Sequence, residues 1–307
     1  MSQRIVISGG TGFLGRRLAA RFSSEGDEVV VLTRSGRLLG DMAELTGVRA
    51  VRWDAVSGGE WERELDGAQA VIHLAGEQAV GVRYTEEVKR RIVDSRVKSG
   101  EALVRAVEAA KSRPEVMISS SGVGYYGGRL DAVPLDEGSP PGDDFLASVC
   151  VVWEGAVQPV EALGVRLVVT RLGIVLGKGG GALETMARPF KWFVGGVIGS
   201  GKQMFTWIHV DDVVDVIARA RTDTSLRGPV NVAAPNAVDH TELAHALGRA
   251  LHRPAIFPVP GFALRALFAE GAVPLLTGQN AVPKKLEGAG YRFQYTSIDA
   301  ALAEAAS

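Results

Sequence analysis

Short apolar runs rich in β-branched residues alternate, over the first 170 positions, with longer stretches in which apolar residues recur every three or four places. The short runs fall at 4–8, 28–33, 48–53, 70–74, 116–119 and 165–170. Continuous apolar runs of that length suit strands, and their alternation with helical patterns predicts βαβ units in a parallel sheet. The longest helical pattern covers 85–110, where Val88, Ile92, Val97, Leu103, Val104 and Val107 fall near one face. It predicts a single long amphipathic helix.

Beyond residue 172 the texture changes. Glycines at 177, 179–181, 195–196, 199 and 201 break the chain into loops. The tail offers a helix over 241–251, a turn-rich stretch over 253–261, a helix from Phe262, and then Pro283-Lys284-Lys285-Leu286. The pattern predicts one domain over 1–172, with contributions from about 205–235, and a smaller C-terminal substrate lobe over 173–307. There is no internal repeat and no low-complexity segment.

Composition narrows the class. With 307 residues, 46% of them hydrophobic, the chain has the material for a large core. Its 34 basic and 35 acidic residues leave a net charge of −1, so no global field favours nucleic acid or an anionic membrane, although local patches stay open. The single cysteine, Cys150, excludes an intramolecular disulfide framework and a cysteine-rich zinc site. The start, Met1-Ser2-Gln3-Arg4, runs straight into a strand without a secretory pattern, and no apolar run reaches 18 residues. These features lead to the expectation of a cytoplasmic protein with a small-molecule substrate and neither nucleic acid nor membrane as partner.

The most informative local chemistry is Ser8-Gly9-Gly10-Thr11-Gly12-Phe13-Leu14-Gly15, which follows the first strand and leads into a helix predicted over 16–24. It holds both G-x-G-x-x-G and G-x-x-G-x-x-G. Glycine permits the tight turn and close approach to a pyrophosphate, and the helix N-terminus attracts negative charge. Strand, turn and helix in this order predict a doubly wound α/β Rossmann unit, with Gly9, Thr11, Gly12, Phe13, Leu14 and Gly15 at the cofactor.

About 20 residues further on, where an NAD site carries an acid for the ribose 2′-hydroxyl, stands Arg34. A guanidinium pairs with a 2′-phosphate, so the expected cofactor is NADP(H); the other reading is a solvated arginine at a strand end. Arg37 is placed to assist. Asp54, after the third strand, is read either as an acceptor for the adenine amino group or as a turn aspartate. After the fourth strand, Leu74, Ala75, Gly76 and Glu77 provide small residues at the sheet's carboxyl edge. His73, inside the apolar run, reads as a core histidine.

These residues resemble the extended short-chain dehydrogenase/reductase superfamily, and Ser119-Ser120-Ser121 followed by Tyr125-Tyr126-Gly127, with Trp207 to Asp212, extend the likeness. More narrowly, the chain resembles the atypical epimerase family protein branch with a C-terminal domain of unassigned function. The segments that carry this are 73–77, 83–89, 94–96, 122–127, 207–212, 278–279 and 283–286. The resemblance implies that Ser119 lies beside the cofactor. It also implies that Ser121, with Tyr125 or Tyr126 as the neighbouring phenol, lies near the reacting carbon; alternatively the serines cap the strand and the tyrosines pack the loop.

Ordinary redox members of the superfamily use a Tyr-x-x-x-Lys pair to move the proton. Aligned on Glu154, Leu146 stands at the tyrosine and Cys150 at the lysine, and no Tyr-x-x-x-Lys occurs anywhere in the chain. Where sugar-nucleotide enzymes place an arginine, Met204 and Phe205 stand, with Lys202 the nearest cation, so an apolar or aromatic ligand is expected over a UDP-sugar. Trp192, Phe193 and Trp207 point the same way, unless they are lobe core. His209, Asp211 and Asp212 show no metal-ligand spacing, and no metal is expected. Two functions follow: an NADP(H)-dependent oxidoreductase or epimerase-like enzyme with an atypical active site, or a non-catalytic NADP(H)-binding redox-sensing or regulatory protein. A homodimer stays open.

Overall fold

The computed structural model describes residues 2–306. Seven parallel strands form the central sheet: β1 Arg4–Ser8, β2 Glu28–Thr33, β3 Val48–Arg52, β4 Ala70–His73, β5 Val116–Gly122, β6 Arg166–Leu172 and β7 Gly228–Val232. Their order across the sheet is β7-β6-β5-β4-β1-β2-β3. The strand order reverses between β1 and β4, and in open α/β sheets ligands bind at the carboxyl ends of the strands beside that point.

Period-two alternation sends the strand residues to two cores. Ile5, Ile7, Val29, Val31, Ile72 and Ile118 pack on one face with α1 (Phe13–Ser24), and Val6, Val30, Leu32, Val71 and Met117 pack on the other with α2 (Glu86–Ala109). Thr85 caps α2 by accepting the Val88 amide. Next to α2 lies α3 (Phe145–Val157), capped by Asp144. Three further helices, α4 (Gly181–Lys191), α5 (Val210–Thr222) and α6 (His240–Leu251), contribute to the core on the α1 face. A seventh helix, α7 (Gly261–Phe268), buries none of its residues.

Two elements differ from the sequence expectation. The first helix begins at Phe13 rather than Arg16, because the Gly12 amide closes on Gly9 O at 3.0 Å while Gly12 O already accepts the Arg16 amide. Strand β5 continues to Gly122 because Ser120, Ser121 and Gly122 stay in register with Thr170, Arg171 and Leu172; their polar side chains hid the strand from the hydrophobic pattern. The stretch Phe145–Leu163 has the length and mean hydropathy (1.2) of a membrane span, although Glu154, Gln158 and Glu161 interrupt any continuous apolar run. Its residues Ala147, Val149, Cys150, Trp153, Val157 and Val160 are buried within the fold.

The C-terminal region is tied to the sheet's carboxyl edge by short pairings. Trp207–His209 runs parallel to Ile174–Leu176, and Asn280–Ala281 parallel to Pro134–Leu135, in the loop after β5. A Cβ on Gly271 would meet Val82 O at 2.0 Å, so this region also lies hard against the loop that follows β4.

Candidate functional site

The glycine turn lies flat because side chains are excluded from it. Gly9 has φ +71°, and a Cβ there would stand 2.8 Å from the Leu74 carbonyl carbon, while a Cβ on Gly15 would stand 2.4 Å from Gly10 Cα. The turn therefore packs directly under the backbone of residues 74–75, and α1 packs directly on the turn. No side chain caps the N-terminus of α1, and its first turn holds no acid. Among the described residues, no cap or first-turn acid therefore competes with an anion for its amides and dipole. Phe13 leans the other way: the loop at Gly177, Gly180 and Gly181 packs on its ring. Arg17 reinforces that contact by donating to Lys178 O at 2.7 Å.

At the end of β2, Thr33 Oγ1 accepts the amides of Ser35 and Gly36 and sets a tight turn. The side chains of Arg34 and Arg37 emerge from this turn exposed, with no hydrogen bond or ion pair among the described residues. Asp54 is exposed, and one of its carboxylate oxygens accepts the amides of Val56 and Ser57 at 2.9 and 2.7 Å, which is the geometry of a turn aspartate. Those backbone donors also lower its pKa.

The loop after β4 is held from below by a residue that the sequence reading passed over. Buried Arg96 on α2 donates to Glu77 O at 2.8 Å and Ile92 O at 3.0 Å, and stacks on Trp153 at 4.8 Å, with no carboxylate ion-paired to it among the described residues. Gly76 lies against its guanidinium. Arg96 thus sets the height of Leu74, Ala75, Gly76 and Glu77, and the only sequence signal for it was its place in Asp94-Ser95-Arg96. Fully buried His73 is fixed between Ser8 Oγ at 2.7 Å and Ser99 Oγ at 3.3 Å, as a core residue.

Strand β5 ends in a buried polar network. Ser121 Oγ donates to Glu154 at 2.8 Å, and the same carboxylate receives Arg171 Nε and Nη2 at 2.9 and 2.8 Å. Arg171 covers the Tyr125 ring at 3.3 Å from its centre and donates to the Tyr126 hydroxyl at 3.2 Å. The Tyr126 hydroxyl in turn donates to Asn231 at 2.6 Å, and Asn231 donates to Leu135 O and Val282 O. One hydrogen-bonded chain therefore joins α3, the strand end and the C-terminal region. Ser119 is also buried, with its hydroxyl directed to Ser120 O at 3.4 Å.

Leu146 and Cys150 line the helix face opposite the β5 loop, where a Cβ on Gly124 would lie 3.5 Å from Leu146 Cβ and 3.9 Å from Cys150 Sγ. Neither side chain replaces a phenol or an ammonium as a proton carrier. Burial pushes the Cys150 thiol up to about 11, so at pH 7 only ~1 in 10⁴ molecules holds a thiolate. Native protein is expected to react with a disulfide reagent at least ~100-fold more slowly than the unfolded chain; timed absorbance of the released thiol measures this, and equal rates would contradict the burial. A further phenol, Tyr84, stands edge-on to Phe145 at 4.8 Å and donates to Ala79 O at 2.7 Å.

His209, Asp211 and Glu304 stand close enough to suggest a metal, but each has work within the fold. His209 Nδ1 accepts the Asp211 amide and so caps α5, while Nε2 faces Glu304 at 2.8 Å on the last helix, Ile298–Ala306.

A reversing parallel sheet, a glycine cradle under the β4 loop and a smaller C-terminal domain over the carboxyl edge together define an extended short-chain dehydrogenase/reductase. The sequence comparisons then place the molecule: the chain belongs to the NAD dependent epimerase/dehydratase family, whose model matches residues 5–233, and a domain of unknown function, DUF1731, matches 259–305. It is 40% identical over 300 residues to the Arabidopsis thaliana "Epimerase family protein SDR39U1 homolog, chloroplastic", covering 97% of this chain and 85% of that one. Identity to the Bacillus subtilis epimerase family protein YfhF is 36%, over 98% of this chain and 97% of that one. The crystal structure of human epimerase family protein SDR39U1 (isoform2) with NADPH superposes with a TM-score of 0.87 at 34% identity, over 99% of both chains. MoeE5, solved with UDP-glucose and NAD, is 19% identical with a TM-score of 0.80 over 99% of this chain and 97% of that one, and shares the fold.

Proposed function

We propose that this chain binds NADP(H) across the carboxyl edge of its sheet and uses it as an oxidoreductase or epimerase-like protein on a small molecule held under the C-terminal lobe. The proposed division runs near residue 172, with about 205–235 returning to the first domain. The observation that carries the reading is the pairing of a close-packed Gly9–Gly15 cradle with an unpartnered Arg34 at the end of β2. When bound, the cofactor supplies or accepts a hydride. The chain's own residues do the rest. The α1 N-terminus and the turn at Gly9, Thr11, Gly12, Phe13, Leu14 and Gly15 would receive the pyrophosphate, Arg34 would pair with the 2′-phosphate, and Asp54, with one carboxylate oxygen held by its own turn, would offer the other to the adenine side. Arg96 keeps residues 74–77 at the height the cofactor needs. Ser119 would lie beside the nicotinamide, and Ser121 and Tyr125 are set by Glu154 and Arg171.

A charge-assisted contact of this kind is worth about 1.5–3 kcal/mol. Arg34→Ala should therefore weaken NADP by roughly ten- to a hundredfold and leave NAD nearly unchanged. Titration calorimetry with both cofactors tests this; equal affinities in the unaltered protein would remove the 2′-phosphate argument.

The second reading, binding without turnover, is favoured by Leu146 and Cys150 on the α3 face and by the commitment of Ser121 to Glu154. Absorbance of bound NADPH against a panel of carbonyl compounds separates the two. If nothing is consumed, and Ser121→Ala and Tyr125→Phe change nothing, the enzymatic reading fails.

A further inference from the structure

The C-terminal region carries a surface that the proposed cofactor site does not use; of the aromatics that the sequence offered for an apolar ligand or the lobe core, Trp207 is buried, whereas Trp192 and Phe193 stand on this surface. Trp192 (76% exposed), Phe193 and Val194 project from the end of α4, and Ile256 and Phe257 project beside them. The two segments are stitched together, Phe257 N donating to Gly195 O and Val259 N to Val197 O. Directly after Pro260 comes α7, Gly-Phe-Ala-Leu-Arg-Ala-Leu-Phe, with Phe262 (74% exposed) and Leu267 open to water. A helix that is apolar but for one arginine belongs in a core or against lipid, yet no residue of this one is buried. Phe193 is also held at φ +60°, a conformation a bulky residue seldom adopts.

The charges around this surface are one-sided. No aspartate or glutamate occurs over 185–210 or over 243–269. Arg188, Lys191 and Arg265 are exposed and unpaired among the described residues, and Arg253 lies 4.5 Å over the Phe193 ring. The near-zero net charge of the whole chain conceals this asymmetry. Exposed tryptophan and phenylalanine ringed by cations is the chemistry of attachment to an anionic bilayer.

From this we infer that the ridge formed by 192–194, 256–257 and α7 docks on the surface of an anionic phospholipid membrane, with the aromatic residues at headgroup depth and the cations against the lipid phosphates. Its exposure and charge argue against the other occupants. The large apolar side chains Trp192, Phe193, Ile256, Phe257, Phe262 and Leu267 are each at least half exposed and so give a small ligand little enclosure, and small ligands bind in concavities. A second copy related by twofold symmetry would bring a second set of cations and no acid from these segments to the interface.

The test is co-sedimentation of the full chain with phosphatidylcholine vesicles, with and without about 30% phosphatidylglycerol. Trp192 provides a second readout, because Trp53, Trp61, Trp153 and Trp207 are buried and only its emission has room to shift to the blue. Association with the anionic vesicles alone, weakening as salt rises, is expected. The double change Arg188→Glu with Lys191→Glu should lower partitioning by at least about tenfold, and Phe262→Ser with Leu267→Ser by a similar factor. The proposal is overturned by no association at low salt, by equal binding to neutral vesicles, or by unaltered partitioning of both variants. It is likewise overturned if the ridge variants abolish dimerisation or binding of a single-stranded oligonucleotide instead. Should a variant not fold, the lipid and salt dependence of the unaltered chain still decides.

Discussion

Replacing Arg171 with methionine is expected to lower the conformational stability by about 3–5 kcal/mol, the usual cost of stripping one partner from a buried ion pair. The side chain of Arg171 is 3% exposed, and its removal leaves the Glu154 carboxylate inside the protein with Ser121 as its remaining donor. The Tyr125 ring loses its cover and the Tyr126 hydroxyl a donor in the same step. Urea denaturation at neutral pH measures the loss. The double change Arg171→Met with Glu154→Leu should recover a large part of it, because no charge is then buried alone. If the single change costs less than about 1 kcal/mol, the network does not hold the β5 end in place. The damage should reach the C-terminal region as well, through Tyr126 and Asn231, so faster proteolysis near Val282 is a second readout.

Acid should destabilise the protein through His73. Burial first, and the nearby Arg96 charge second, bring its pKa down to about 4 from the ordinary 6.5. The folded state therefore keeps the ring neutral where the unfolded chain already protonates it. Stability from this residue is complete above pH 6.5 and is lost as pH falls from 6.5 towards 4, by up to about 1.4 kcal/mol per unit and about 3 kcal/mol in all. Urea midpoints from pH 7.5 down to pH 5 measure the slope. His73→Asn retains a polar group between Ser8 and Ser99 but does not titrate, so it should be less stable at pH 7.5 yet flatter in its pH profile. Partly buried His240 is shifted in the same direction and acts in both proteins, so the difference between the profiles is the quantity that decides. Identical slopes would remove His73 as the acid-sensitive group.

Much of the scaffold for these effects was legible along the chain. The alternation of β-branched runs with helical patterns anticipated six parallel strands, because strands buried on both faces need continuous apolar residues. The seventh, Gly228–Val232, was not anticipated, since Pro229 and Asn231 break its pattern and its partner lies far back in the chain. The turn at Gly9 to Gly15 was readable for a related reason: close backbone approach permits only glycine, so the need is printed in the residue type. Arg34 was readable as a cation at the end of β2, and its lack of a partner among the described residues leaves both of its readings to experiment.

What lay out of reach were the partners of buried charge. Ser121 and Tyr125 were singled out by type and position, but the carboxylate that receives Ser121 sits 33 residues away, and the guanidinium that covers Tyr125 belongs to β6. Tyr126 and Asn231 are 105 residues apart. Arg96 gave no sign that it would be buried without a carboxylate, and the apolar pattern of α7 resembled that of an ordinary core helix. Periodicity, turn chemistry and the missing Tyr-x-x-x-Lys pair depend on residues within a few places of one another, and the order of the chain contains them completely. Which buried charges meet, and which apolar helix is left facing water, depend on how distant segments pack, because burial and hydrogen-bond pairing are properties of the folded surface and not of any stretch of sequence.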